Sequence, residues 1–261
     1  MWFFQYFVEP LPSKPYTRTM LRTQQDLRRL GAIMGIWAHP DDETWSSAGI
    51  MAAAVENEQR VCVLSATKGD AGQTADEASW SQKDLRHIRE QEFGGALAAI
   101  GVEAGVLLHY PDNKLHTIDE ADIIEVLTQH ISAFAPNTIL TFEPTGITGH
   151  ADHQLISKWA RRAAGESNAS ISVYGAVETT ENYNAVGKQA DELFDIYFAT
   201  DKPKLYDEAN VDICFELPEH IRDKKRKAME AHASQTSGIS KHPVGKRILE
   251  ASLQKECFVK L

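Results

Sequence analysis

Residues 32–45, AIMGIWAHPDDETW, join an apolar run to a cluster of polar side chains. The run AIMGIWA predicts a buried β-strand that ends near Ala38, and WSSAGIMAAAVENE predicts the helix that follows it. Pro40 restricts the backbone of the short connection between the two elements. Four side chains that can bind a metal ion or move a proton therefore project from one tight strand-to-helix turn: His39, Asp41, Asp42 and Glu43.

The alternation of strand and helix continues along the chain. The further predicted strands are RVCVLSAT, GVLLHY, NTILTFEP, ISVYGAVE, LFDIYFAT, ANVDICFELP and ECFVKL. The further predicted helices are residues 82–100, ADIIEVLTQHISAF, DHQLISKWARRAAG and PEHIRDKKRKAMEAHASQ. This order predicts an α/β fold of the Rossmann-like type, in which a mostly parallel sheet carries helices on both faces. In such a sheet, ligands bind beyond the carboxyl ends of the strands.

The composition changes near the start of the chain. Residues 1–12 are aromatic and apolar, whereas residues 13–30 are polar and basic. We predict an N-terminal arm of unknown role over residues 1–30 and a single domain over residues 31–261. The apolar start is too short to span a bilayer and lacks the basic start of a signal peptide. We therefore expect a packing arm or a mis-assigned start before Met20, with a membrane-touching segment as the alternative.

The charge and the cysteines limit the classes of function. With 37 acidic and 27 basic residues, the formal net charge of -10 repels polyphosphate, so we do not expect nucleic acid as a partner. The partner that we expect is a small molecule, on the grounds of the site described below. The cysteines Cys62, Cys214 and Cys257 are odd in number, far apart and not in a CxxC pattern. They predict neither a disulfide framework nor a thiolate zinc site, which favours a cytoplasmic location. Apolar residues near the N-terminus, if exposed, would allow a homo-oligomer.

A second polar cluster, GITGHADH at residues 146–153, also follows an apolar strand and opens a helix. We therefore expect it at the same edge of the sheet as the first cluster. Taken alone, each cluster has a simpler explanation, because a carboxylate before a helix is a common cap and a loop histidine is common at a surface. Together, the two clusters offer two histidines and a carboxylate as ligands, the composition of a catalytic zinc site with an open position.

Six motifs in order resemble the LmbE-like (PIG-L-type) family of zinc-dependent N-acetyl-sugar deacetylases. They are AHPDDE, TKGDAG, REQEFGGALAAIGV, YPDN, PTGITGHADH and KAMEAHASQ. The resemblance covers about residues 32–240, and the first and fifth motifs are the specific ones. Ala151 stands where proline is common in that family, and Asn113 stands where glycine is frequent.

The resemblance implies a metal site and a mechanism. It makes His39, Asp42 and His153 the ligands of Zn²⁺, with Fe²⁺ or Co²⁺ as alternatives. It makes Asp41 the general base that takes a proton from a zinc-bound water, whose pKa the metal lowers to roughly 7. A protonated His150 would help to stabilise the oxyanion. Either Asp41 or His150 could then protonate the leaving amine.

Three further positions match substrate-binding positions of the family: Arg89, Asp112 and His232. A guanidinium fork and a carboxylate are suited to sugar hydroxyls. Each position also has a structural explanation. Arg89 can pair with Glu92 one turn further along its helix, Asp112 can cap a turn at Pro111, and His232 can be an ordinary histidine at a helix end.

The predicted function is therefore hydrolysis of the acetyl amide of an N-acetylglucosamine-like sugar or glycoconjugate. The first alternative is a zinc amidase that acts on another acyl amide. The second is a sugar- or metal-binding module without catalysis, which the presence of a base beside the ligands disfavours. Neither GxGxxG nor GxSxG occurs in the chain. This absence disfavours a dinucleotide-binding protein or a serine hydrolase, two other functions that this fold class supports.

Overall fold

A computed structural model describes residues 20–73, 81, 83–167, 169–200 and 202–261. The strands are β1 (Ile33–Trp37), β2 (Val61–Thr67), β3 (Ala104–Tyr110), β4 (Thr138–Phe142), β5 (Ser172–Ala176), β6 (Glu178–Thr179), β7 (Leu205–Tyr206), β8 (Ile213–Glu216) and β9 (Lys255–Lys260). The helices are α1 (Gln24–Leu27), α2 (Asp42–Glu56), α3 (Leu85–Ile100), α4 (Glu120–Phe134), α5 (Ala151–Glu166), α6 (Thr180–Asn182), α7 (Lys188–Phe194), α8 (Glu219–Ala231), α9 (Ala233–Lys241) and α10 (Pro243–Ser252).

Seven of the strands form one sheet in the order β3-β2-β1-β4-β5-β9-β8. The first five pair in parallel, and β9 is antiparallel to both β5 and β8. The strand order reverses at β1, which pairs with β2 on one side and with β4 on the other. The predicted Rossmann-like α/β fold is confirmed, and the loops after β1 and β4 lie side by side at this switch point.

The central strands are buried on both faces because helices surround the sheet. Every residue of β1, β2 and β4 is buried. Around the sheet, α4 packs against α5, while α2, α3 and α8 pack against one another. The apolar runs of the sequence are therefore explained by burial on both faces of a parallel sheet.

The late part of the chain departs from the predicted elements. LFDIYFAT is not a strand, because its first two residues end α7 and the rest form turns. Tyr197 of this stretch is buried, and its hydroxyl donates to the Glu178 carboxylate (2.9 Å). A side-chain hydrogen bond, and not strand pairing, therefore holds this residue. The predicted helix from residue 218 is interrupted at His232, where α8 ends and α9 begins. The helix α10 was not predicted.

The expectation that no disulfide forms is wrong for one pair of cysteines. Cys214 on β8 and Cys257 on β9 are directly opposite each other in the antiparallel pair and are bonded, with their Cα atoms 4.2 Å apart. A separation of 43 residues hides this neighbourhood in the sequence. Only the antiparallel return of β9 brings the two thiols together.

The described part of the predicted N-terminal arm, from Met20 to Leu30, packs against the sheet and its helices. Leu21 forms a bridge with Ile213, and the side chains of Leu27 and Leu30 are buried in the main core. Residues 1–19 lie outside the described residues. None of the helices in the described part of the chain has the length and apolar composition that crossing a bilayer requires.

A buried ion pair connects the C-terminal part of the chain to α2. Lys225 on α8 donates to Glu256 Oε1 on β9 (2.7 Å) and to the carbonyl of Trp45 (2.9 Å). The Glu256 carboxylate also accepts the backbone N–H groups of Gly49 (2.8 Å) and Ile50 (2.7 Å). Both charged side chains are about 1% exposed, so each depends on the other for compensation.

Glu256→Gln should destabilise the protein by about 3–5 kcal/mol, because it leaves the Lys225 ammonium buried without an anionic partner. The measurement is the free energy of unfolding from urea titration. Lys224→Met is the matched control, since it removes a partly exposed pair with Glu56 (2.8 Å) and should cost only about 0–1 kcal/mol. Equal losses in the two variants would contradict this account of the pair.

Candidate active site

The three predicted metal ligands, His39, Asp42 and His153, converge where β1 and β4 end. His39 Nδ1 lies 3.5 Å from Asp42 Oδ2 and 3.2 Å from His153 Nε2. His153 Nε2 lies 3.4 Å from Asp42 Oδ1. One ligand atom from each residue lies within 4.8 Å of the others, and all three residues are buried. The structure therefore brings together two residues from the first cluster and one from the second.

Hydrogen bonds outside the cluster orient both imidazole rings. His153 Nδ1 donates to the carbonyl of Gly146 (3.0 Å), which leaves the lone pair of Nε2 facing the other ligands. Gly146 has a φ of 76°, and a Cβ there would lie 2.7 Å from the Cβ of His153. His39 Nε2 faces Asp112 Oδ1 (3.0 Å) and Asp152 Oδ2 (3.4 Å), which favours a proton on Nε2 and leaves Nδ1 toward the cluster.

The donor set fits a divalent metal ion. Two imidazole nitrogens and a carboxylate are ligands that Zn²⁺ and similar ions prefer. Burial lowers the pKa of His153 to about 4, so its ring is neutral at pH 7, as a ligand must be. Burial also lowers the pKa of His39, but the carboxylates of Asp112, Asp152 and Asp42 outweigh burial, so the pKa is raised overall. A metal ion at Nδ1 therefore competes with a proton for that atom.

Asp41, the predicted base, is held beside these ligands in an unusual backbone conformation. Its φ is 99°, in the left-handed region that non-glycine residues seldom adopt. The Glu43 carboxylate accepts the N–H of Asp41 (3.0 Å), and Arg89 Nη2 lies 3.2 Å from Asp41 Oδ2. Burial raises the pKa of Asp41 to about 6, although the charge of Arg89 opposes this shift. A carboxylate with that pKa is suited to accept a proton near neutral pH.

His150 begins α5, and its ring caps that helix. Its Nδ1 accepts the N–H of Asp152 (3.1 Å), so the cap is the histidine and not the aspartate of the second cluster. Burial lowers the pKa of His150, and the neighbouring His39 lowers it further. A ring nitrogen that accepts a hydrogen bond carries no proton. The expectation of a protonated His150 is therefore corrected to a neutral ring, which offers Nε2–H as its donor.

Arg89 contacts the loop structure around Asp41 rather than Glu92. Besides Asp41, it donates to the carbonyls of Gly69 (2.9 Å) and Pro40, and it is only 4% exposed. Glu92 instead accepts hydrogen bonds from the N–H and the hydroxyl of Ser234 (2.7 Å each). The alternative that Arg89 pairs with Glu92 is wrong, and the predicted contact of Arg89 with a substrate stays a prediction.

Asp112 and His232 also take part in internal contacts. Asp112 Oδ2 accepts the N–H of Ala71 (2.8 Å), and Oδ1 faces His39, so Asp112 does not cap the turn at Pro111 with its side chain. His232 is fully buried, and its Nε2 donates to Glu43 Oε1 (2.9 Å). The structure therefore places His232 behind Asp41, in contact with the residue that holds the base.

Sequence reasoning gave no specific role to two residues of this network. Glu43, which the sequence places only among the four polar side chains of the first turn, accepts hydrogen bonds from Asp41, Thr44 and His232. Asp152 was considered only as a cap, yet it faces His39 and accepts the N–H of Leu115 (3.2 Å). The signal that could have found Asp152 is its position between two functional histidines in HADH.

Comparisons with known proteins relate the chain to deacetylases. Residues 34–164 match the PIG-L family, described as GlcNAc-PI de-N-acetylase. A relative from Mycobacterium sp. (strain KMS), named 1D-myo-inositol 2-acetamido-2-deoxy-alpha-D-glucopyranoside deacetylase, is 27% identical over 78% of this chain and 74% of its own length.

Two solved structures share the fold. The A40926 pseudoaglycone deacetylase Dbv21 superposes with a TM-score of 0.64 at 22% identity, over 88% of this chain and 96% of its own. GalB, the 4-carboxy-2-hydroxymuconate hydratase from Pseudomonas putida KT2440, has a TM-score of 0.60 at 15% identity, over 85% of this chain and 82% of its own. Because a hydratase shares the fold, the fold alone does not determine the reaction.

The family match is the basis for assigning the chain to a family, since it spans half of the chain and includes both polar clusters. The relatives and structural neighbours are mainly deacetylases, so the predicted enzyme class, a hydrolase that acts on an amide bond, is confirmed together with the resemblance. The chain belongs to the PIG-L family of de-N-acetylases.

Proposed function

We propose that the chain hydrolyses the acetyl amide of an N-acetylglucosamine conjugate, with His39, Asp42 and His153 as the ligands of a catalytic zinc ion. The observation that carries this proposal is the convergence of these three ligands beside Asp41. The named substrate of the mycobacterial relative, an inositol glycoside of 2-acetamido-2-deoxyglucose, supports the sugar. Fe²⁺ or Co²⁺ fits the same donors, so the identity of the ion belongs to the proposal.

When bound, such an ion polarises the amide carbonyl and lowers the pKa of water. The protein's own residues then move the protons. Arg89 holds Asp41 Oδ2, which leaves Oδ1 to accept a proton from the attacking water. The Nε2–H of His150 donates to the oxygen that becomes negative. The Asp41 carboxyl returns its proton to the amine nitrogen as the C–N bond breaks, so one water and one amide give a free amine and acetic acid, which ionises to acetate.

The network behind Asp41 keeps the base in position. The left-handed backbone at Asp41 costs of order 1–3 kcal/mol and persists only where neighbouring contacts enforce it. Glu43 binds the N–H of Asp41, and His232 binds Glu43, so α8 reaches the base through two buried side chains. We therefore assign His232 as a positioning residue in place of a direct substrate contact.

A cytoplasmic location and a homo-oligomer stay predictions. The bridge between Cys214 and Cys257 disfavours a cytoplasmic location, because disulfides are rare in reducing compartments. The single domain over residues 31–261 and the contacts of Arg89 and Asp112 with sugar hydroxyls likewise belong to the proposal.

Asp41→Asn should keep the bound metal and lose about 10²–10⁴-fold in kcat, because it removes the base but none of the ligands. His39→Ala and His153→Ala should lose the metal itself. The measurements are metal content by mass spectrometry and acetate release from methyl N-acetylglucosaminide. His130→Ala, a partly exposed histidine of α4 outside the site, is the matched control and should keep both metal and turnover. Normal turnover in Asp41→Asn would exclude it as the base.

His232→Ala should lower kcat at least tenfold with little change in KM or metal content, because Glu43 loses the donor that fixes it against Asp41. His232→Gln, whose amide can donate at a similar reach, should restore most of kcat. The measurement is the steady-state split between kcat and KM for both variants. A rise in KM at unchanged kcat would instead indicate that His232 contacts the substrate, as first predicted.

A further inference from the structure

A cavity of about 440 Å³ opens beside Asp41, Asp42 and His153 and extends into the C-terminal part of the fold. This volume is within the roughly 300–1,000 Å³ typical of small-molecule sites. The methyl group of an acetyl amide fills only a small part of it. Since the enzyme class is a deacetylase, the acyl group does not account for the cavity.

The wall of the cavity is mainly apolar. A π-helix over Tyr183–Gly187 leads into α7, and this segment faces α9 and α10 across the cavity. The apolar side chains that this part of the fold contributes to the wall are Val186, Ala190, Phe194, Ile196, Ile239 and Ile248. All of these positions lie beyond residue 164, where the family match ends, so the wall is a feature of this chain's C-terminal part.

The charged groups of the wall are already satisfied by protein partners. Glu178 accepts hydrogen bonds from Tyr197 (2.9 Å) and Asn182 (2.8 Å). Lys255 is paired with Glu208 (2.5 Å), and Glu256 belongs to the buried pair described above. A polar ligand would therefore have to compete with existing hydrogen bonds, whereas an apolar ligand gains from leaving water.

The sheet order puts the cavity and the side chains of Arg89 and Asp112 on opposite sides of the metal ligands. Arg89 and Asp112 both contact the loop after β2, and Asp112 itself follows β3, so both lie on one side of the metal ligands. The cavity lies on the other side, where Ala176 ends β5 and Val177 follows it. If the hydroxyls at C3 and C4 of the sugar face Arg89 and Asp112, the substituent at C1 points away from them, because C1 and C4 are opposite in a hexose ring.

We propose that this cavity binds an apolar aglycone, an alkyl or aryl group attached at C1 of the N-acetylglucosamine unit. The inference rests on the proposed function and goes beyond it, because it gives the chemical class of the aglycone. It makes the natural substrate an amphipathic glycoside, with the sugar at the metal ligands and the apolar group between α7 and α10.

The test is acetate release by the metal-loaded full chain from methyl, butyl and octyl N-acetylglucosaminides. A triethylene glycol glycoside of similar length serves as the polar control. We expect kcat/KM to rise at least tenfold from methyl to octyl, mainly through KM, because each buried methylene adds binding free energy. The triethylene glycol glycoside should not share the gain.

Ala190→Phe should abolish this gain, because its ring would occupy the space that the chain needs. Ala190 is 1% exposed and lines the cavity, so far-ultraviolet circular dichroism must show that the variant is folded. Ala133→Phe on the exposed face of α4 is the matched control and should keep the octyl-to-methyl ratio. Independently of any variant, octyl glucoside should inhibit hydrolysis of the methyl substrate competitively, and methyl glucoside should not.

The outcomes separate the two proposals. Equal kcat/KM for methyl and octyl glycosides, or equal inhibition by octyl and methyl glucoside, would overturn the aglycone site and leave the deacetylase intact. Faster cleavage of an N-octanoyl amide than of the acetyl amide would also overturn it, since the cavity would then bind the acyl group. No acetate from any glycoside, with metal bound, would contradict the proposed function itself.

Discussion

The parallel pairing of β1 with β4 is the constraint on which the site depends. These strands are 105 residues apart in register, Ile33 opposite Thr138, and both are buried along their whole length. Because parallel strands end at the same edge, the two polar loops that follow them are held within contact distance. The strands are fixed by the core, so the ligands are positioned before any metal binds. This is the arrangement that a precise first coordination shell requires.

Around that edge, buried charges are arranged in successive contacts. His39 touches the carboxylates that orient it, Arg89 and Glu43 hold Asp41 from two directions, and His232 holds Glu43. Each of these groups would be costly to bury alone, and each is compensated by the next. The ion pair of Lys225 and Glu256 has the same character and ties the last strand to α2. Through His232, the C-terminal part of the chain supports the residue that holds the base.

The two sides of the site come from different parts of the chain. The ligands, Asp41 and His150 lie within residues 34–164, the part shared with the PIG-L family. The cavity wall comes from α7, α9 and α10, which follow that part. A fixed catalytic edge combined with a separate apolar wall allows the reaction to stay the same while the bound group changes. The π-helix over Tyr183–Gly187 lies in this wall, and such segments are frequent at functional sites.

The sequence by itself determined the α/β class, a mostly parallel sheet and the residues of both polar clusters. Buried parallel strands are continuous apolar runs, and the polar turns after them interrupt those runs sharply. The sequence did not determine the structure of the stretch LFDIYFAT, the helix α10 or the partners of Arg89, Glu43 and His232. Their apolar or polar character fits several structures, and only contacts between distant segments select one. The bridge of Cys214 and Cys257 and the cavity likewise depend on tertiary structure, since antiparallel pairing and packing across 43 or more residues have no local signal in the chain.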